Sequence, residues 1–128
     1  MSKIVLDSSV LLAVLNGEPG AEGLTSELLS RATCSTVNLA EVHSKLVTRG
    51  VTEKDAWTAT RYAVQEPEEF TVEHAHLAGD LISHTRSLGL SLGDRACLAL
   101  GIHLGVPVYT ADRSWKKLKL PISIHVIR

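Results

Sequence analysis

The chain is poor in cysteine, in net charge and in long apolar runs, and each shortage removes a class of protein. Its only cysteines, Cys34 and Cys97, lie far apart and outside any C-x-x-C pattern. They suggest no thiolate zinc site, and Cys97 inside A-C-L-A-L reads as a small buried thiol. Net charge is −1 over 128 residues, so no global positive field announces nucleic acid, and any grip on phosphates must come from locally placed cations. No apolar run approaches membrane-spanning length, and the opening M-S-K-I-V-L-D lacks the apolar stretch of a signal peptide. A reduced cytoplasmic protein without membrane contact is expected. The six histidines form no H-E-x-x-H or Cys/His zinc spacing, and His74-x-His76 alternates poorly for ligands on a helix. Repeats, low-complexity tracts and linkers are also missing.

What remains is an ordinary globular composition, 45% hydrophobic and 21% charged, in a length that suits one compact domain spanning residues 1–128. Lys3–Leu6 is a short apolar run, followed by the cap-type residues Asp7-Ser8-Ser9 and a helical stretch over Val10–Leu15. That order opens a βα unit. Ala21–Arg31 has helical spacing, Ala32–Thr36 is β-tolerant, and Val37–Thr48 and Thr52–Val64 read as helices. Glu69–Val72 alternates like a strand, His74–Leu88 resumes a helical pattern, and Asp94–Leu104 is a strongly apolar helix. Val106–Thr110 and Ile122–Ile127 are the last strand candidates, with Pro107 near the start of its strand, where it is tolerated. Short apolar strands separated by helices imply an α/β fold, with a parallel sheet of about four to five strands covered on both faces.

Four carboxylates stand beside these apolar elements: Asp7, Glu41, Asp94 and Asp112. Ionised carboxylates lose solvation there, and a cluster of them needs protonation or a cation to relieve its repulsion. Oxygen donors favour a hard divalent ion such as Mg²⁺ or Mn²⁺. Each acid has a plainer explanation. Asp7 and Asp94 suit helix N-termini, and Asp112 suits a turn. On a helical wheel Glu41 falls on the polar side with Asn38 and Lys45, where an i,i+4 pair with Lys45 would account for it. The joint pattern says more. Asp7 and Asp112 leave two strands at the same edge, which is where open α/β sheets collect ligand-binding groups.

Four stretches, I-V-L-D-S-S-V-L at 4–11, N-L-A-E-V at 38–42, L-S-L-G-D-R-A-C-L-A-L at 90–100 and V-Y-T-A-D-R-S-W at 108–115, together resemble a PIN domain. More narrowly, they resemble the VapC-type ribonuclease toxins of toxin–antitoxin pairs. The resemblance implies an acidic pocket at the carboxyl edge of a parallel sheet. It assigns Asp7, Glu41, Asp94 and Asp112 to catalysis, with Asp7, Asp94 and Asp112 as ligands of Mg²⁺ or Mn²⁺ and Ser9 and Thr110 as supporting polar groups. It further implies hydrolysis of RNA leaving a 5′-phosphate and a 3′-hydroxyl, a homodimer, and a small VapB-like antitoxin that blocks the pocket. For RNA contacts the sequence offers Arg113, Lys116 and Lys117, with Lys119 and the aromatic Trp115 among them, against the alternative of a solvated turn with Trp115 in the core. Arg95 and Arg86 qualify only by nearness in sequence to Asp94.

Three other readings compete. A phosphoacceptor receiver domain needs a paired acid after the first strand, but two serines follow Asp7; a haloacid-dehalogenase-type phosphatase needs D-x-D, and Ser9 stands at the second position. A PIN-fold protein that binds RNA or a partner without cleaving would gain little from four repelling charges.

Overall fold

The computed structural model describes residues 2–128. Four strands, β1 (Ile4–Leu6), β2 (Ala32–Thr33), β3 (Val108–Thr110) and β4 (Ile124–Val126), form one parallel sheet among the described residues, in the order β2-β1-β3-β4. Val5 pairs with Thr33 on one side and Val108 on the other, so β1 and β3, from opposite ends of the chain, lie side by side at the centre. The expected parallel α/β architecture is present.

Helices α1 (Ser8–Asn16), α2 (Ser26–Ser30), α3 (Thr36–Thr48), α4 (Glu53–Ala63), α5 (Val72–Asp80), α6 (Ile82–Thr85) and α7 (Leu92–Leu104) occupy the crossovers. Successive residues of a strand point to opposite faces, and β1 obeys this strictly. Ile4 and Leu6 join a core with Val10 and Leu11 of α1, Leu39, Val42 and Leu46 of α3 and Ala56 of α4. Val5 joins a second core with Val108, Ala78 of α5, Cys97–Leu100 of α7 and Trp115. Gly101 lets α7 approach β3 closely, because the Val108 side chain fills the space a Cβ would need. No helix among the described residues is long and apolar enough to cross a membrane.

Three expected elements differ. The helix over Ala21–Arg31 splits into a 3-10 turn at Ala21–Gly23 and then α2, because the Thr25 side chain accepts from Leu28 N at 3.2 Å and starts a new helix. Glu69–Val72 is not a strand. One parallel bridge forms just upstream, between Ser35 and Glu68, while Thr71 caps α5 and leaves Val72 87% exposed. The helix over His74–Leu88 breaks into α5, α6 and a 3-10 turn at Arg86–Leu88, which ends on Gly89 at φ 63°. Hydrophobic spacing alone cannot see such breaks, since Ala78, Leu81 and Leu90 on either side of them still turn inward.

Candidate active site

Asp7 follows β1 directly and occupies the N-cap position of α1, yet its side chain makes no capping hydrogen bond. It turns to β3 instead. Its Oδ2 accepts from Ser9 Oγ at 2.7 Å and from Thr110 Oγ1 at 3.0 Å. Those hydroxyls are oriented in turn by backbone donors, Ala111 N to Ser9 at 3.0 Å and Asp112 N to Thr110 at 3.1 Å. Ser9 and Thr110 therefore hold Asp7 as expected of supporting groups. The carboxylate is 4% exposed. Burial raises its pKa to about 6, and the negative charge of Asp94 adds to the rise, against the lowering effect of the two hydroxyls and the Ser8 N–H.

Glu41 belongs to the same place. Its Oε1 accepts from Ser8 Oγ at 2.5 Å and from Asn38 Nδ2 at 3.0 Å. Asn38, one turn earlier on α3, is fully buried and also donates to Ser8 Oγ (3.1 Å) and to Gly93 O (3.0 Å). This clamp turns Glu41 away from Lys45, and the i,i+4 ion pair offered by the helical wheel does not form among the described residues. Room for the carboxylate comes from Gly93 at the start of α7: a Cβ there would collide with the Glu41 carboxylate, with Oε2 its nearest atom. Sequence reasoning missed Ser8, Asn38 and Gly93. The signals were present in D-S-S, in the i,i+3 spacing of Asn38 and Glu41, and in the glycine before Asp94.

Asp94 does the capping work expected of an acid at that position and still faces the cluster. Its Oδ2 accepts from Ser91 N at 2.9 Å, and Ser91 Oγ accepts from Asp94 N at 3.2 Å, a reciprocal cap. Asp112 is exposed at the edge, where its Oδ1 accepts from Ser114 N (2.9 Å) and Ser114 Oγ (2.7 Å). In all four acids the side-chain and capping hydrogen bonds fall on one oxygen.

Cys97, one turn below Asp94 on α7, reports the convergence independently. Its thiol is held well above the ordinary range, first by burial and then by Asp7, Asp94 and Glu41 together with Cys34. Asp7, Glu41 and Asp94 thus gather at the carboxyl edge of β1, and Asp112 stands at the margin, tied in through Thr110. Among the described residues no group of three or more His, Cys, Asp or Glu side chains is disposed to hold a metal ion directly. The donor set nevertheless suits Mg²⁺, which takes one or two carboxylates and keeps several waters.

The basic stretch after Asp112 is only partly available. Arg113 Nε donates to the Arg128 carbonyl at 3.0 Å, while Lys116 and Lys117 are exposed. Trp115 is 0% exposed, so it belongs to the core and cannot stack on a base. Its hydrophobic neighbours in β3 and α7 outweigh its place in a charged turn. Arg95 donates to Ala78 O at 2.8 Å, bracing α7 against α5.

Residues 4–120 match the family model of the PIN domain. No curated protein is significantly similar in sequence. Several solved structures share the fold. A DNA-bound VapBC from Salmonella typhimurium superposes with a TM-score of 0.79 at 16% identity, covering 100% of both chains. VapBC-5 of Mycobacterium tuberculosis gives 0.63 at 22% identity, over 100% of this chain and 99% of that one. VapC20 of the same organism, a toxin that cleaves the sarcin–ricin loop, gives 0.69 at 18% identity, over 91% and 97%.

Proposed function

We propose, on the premise that this chain belongs to the PIN domain family, that it is a Mg²⁺- or Mn²⁺-dependent endoribonuclease and the toxin of a VapBC-type pair. The observation that carries the reading is the meeting of Asp7, Glu41 and Asp94 at the carboxyl edge of β1, with Glu41 held through Ser8 and against Gly93 and with the Asp94 charge opposing that of Asp7. Uncompensated buried charge costs stability, and a divalent ion relieves it. The similarity to a sarcin–ricin-loop-cleaving toxin and to VapBC complexes supports RNA as substrate and a VapB-like antitoxin as partner.

Asp7 and Asp94, with Asp112 at the margin, would hold the ion. When bound, it would polarise the phosphodiester, lower the pKa of a water and neutralise charge on the leaving oxygen. The chain's own groups divide the remaining work. Ser9 and Thr110 fix the rotamer of Asp7, and the reciprocal cap with Ser91 fixes Asp94. Ser8 and Asn38 occupy one oxygen of Glu41 and leave Oε2 to orient the attacking water and take its proton. A homodimer and an antitoxin covering the acidic opening complete the proposal.

The test is cleavage of a fluorogenic RNA in Mg²⁺, Mn²⁺ or EDTA. Cleavage should require the metal and vanish in Asp94→Asn, and Glu41→Gln should lower kcat by about 10²–10⁴-fold. A folded wild-type protein that leaves RNA intact in both metals, or cleaves it equally in EDTA, refutes the proposal.

A further inference from the structure

Because Glu41 is drawn inward, Lys45 is left without an ion pair among the described residues, exposed one turn further along α3. Both residues line one shallow, open depression of about 750 Å³ along the face of this helix. Val37, Glu41 and Lys45 follow one another at i, i+4 and i+8, and Ala40, Ser44 and Thr48 form the adjoining row of the same depression. This face therefore runs from Thr36 and Val37 past the Glu41 carboxylate to a free ammonium and two hydroxyls.

We infer that this face of α3 is the track for single-stranded RNA, with Lys45 gripping the phosphate next to the scissile one and Ser44 and Thr48 donating to the strand beyond it. The inference rests on the nuclease reading of the acidic site. Charge complementarity supports it. An acidic centre repels a polyanion, so substrate has to be held by cations just outside the cluster, and Lys45 is an unengaged cation in the depression that Glu41 also lines. The spacing also suits it. Four residues of helix advance about 6 Å, on the order of the step between successive phosphates of one strand. Lys116 and Lys117 lie on the other side of the sequence pattern, in the turn that Asp112 caps, and do not line this depression.

The experiment compares wild type, Lys45→Gln and Lys45→Arg, with Lys116→Gln as reference. Binding of a fluorescein-labelled single-stranded oligoribonucleotide is followed by anisotropy in EDTA, between about 50 and 200 mM salt. Cleavage kinetics of the same RNA are measured in Mg²⁺. Lys45→Gln should weaken binding several-fold, reduce the slope of log K against log salt by about 0.7, and raise KM by more than it lowers kcat. Lys45→Arg should retain most of the affinity. Unchanged affinity, salt slope and KM in Lys45→Gln, while wild type cleaves, overturn the track and leave the nuclease reading standing. A wild-type protein that neither binds nor cleaves RNA overturns both. If Lys45→Gln changes the sedimentation of the protein but not its RNA binding, the face is an interface between copies, and the inference falls.

Discussion

Replacing Asp7 by asparagine should make the metal-free protein more stable at neutral pH. The buried carboxyl titrates near 6 in the folded chain, against an ordinary value of 3.8. Below about pH 4 it is protonated in both states and contributes nothing. Between about 4 and 6 the unfolded chain gives up its proton while the folded one keeps it, so native stability falls as pH rises. Above 6 the loss is complete, about two pKa units or roughly 3 kcal/mol. An asparagine at this position keeps an oxygen to accept from Ser9 and Thr110 and removes the charge that burial and Asp94 oppose. An unfolding entropy of about 2.1 cal/mol/K per residue, over 128 residues, converts each kcal/mol to about 4 °C. Thermal unfolding in EDTA at pH 7.5 should thus show Asp7→Asn melting about 10 °C higher, with the gain shrinking to about 2 °C by pH 4. Added Mn²⁺ should raise the wild-type Tm and leave the variant nearly unchanged. A variant no more stable than wild type at pH 7.5, or equally stabilised at pH 4, would refute the reasoning.

Gly93→Ala should evict the Glu41 carboxylate without unfolding the chain, because the colliding group is the end of a flexible side chain and alanine favours helix by about 1 kcal/mol over glycine. Its Tm should stay within a few degrees of wild type while RNA cleavage drops to the level of Glu41→Ala; retained cleavage contradicts the clamp. Asn38→Ala removes the donor to Glu41, Ser8 and Gly93 and should cost about 1–3 kcal/mol in urea denaturation, together with a fall in kcat. Trp115→Ala empties a fully buried site in the α7 core and should cost about 3–5 kcal/mol, whereas a surface aromatic would cost little.

The parallel sheet and its two covering layers were legible because each strand is a short apolar run and each crossover carries helical spacing. Asp7 stood out from its place after β1, and the structure removes its plainer explanation, since its side chain does not cap α1. Asp94 and Asp112 keep their plainer explanation, since each caps a helical turn through one oxygen. Glu41 could not be placed from its own helix. A wheel describes one element, and what draws Glu41 inward is a serine on α1 and a missing Cβ on α7. For the same reason Asn38, assigned to the polar side, is fully buried, because its amide finds three acceptors across three segments. Trp115 illustrates the reverse error: charged neighbours in sequence say little about which way a large apolar ring turns.

The central pairing of β1 with β3 has a consequence for biosynthesis. The Thr110 hydroxyl that fixes Asp7 is translated 103 residues after it. A growing chain on the ribosome carries Asp7 across that interval without the strand that orients it. Asp7 is fixed by its two hydroxyls only after β3 has emerged and paired with β1, so its geometry is set late in folding.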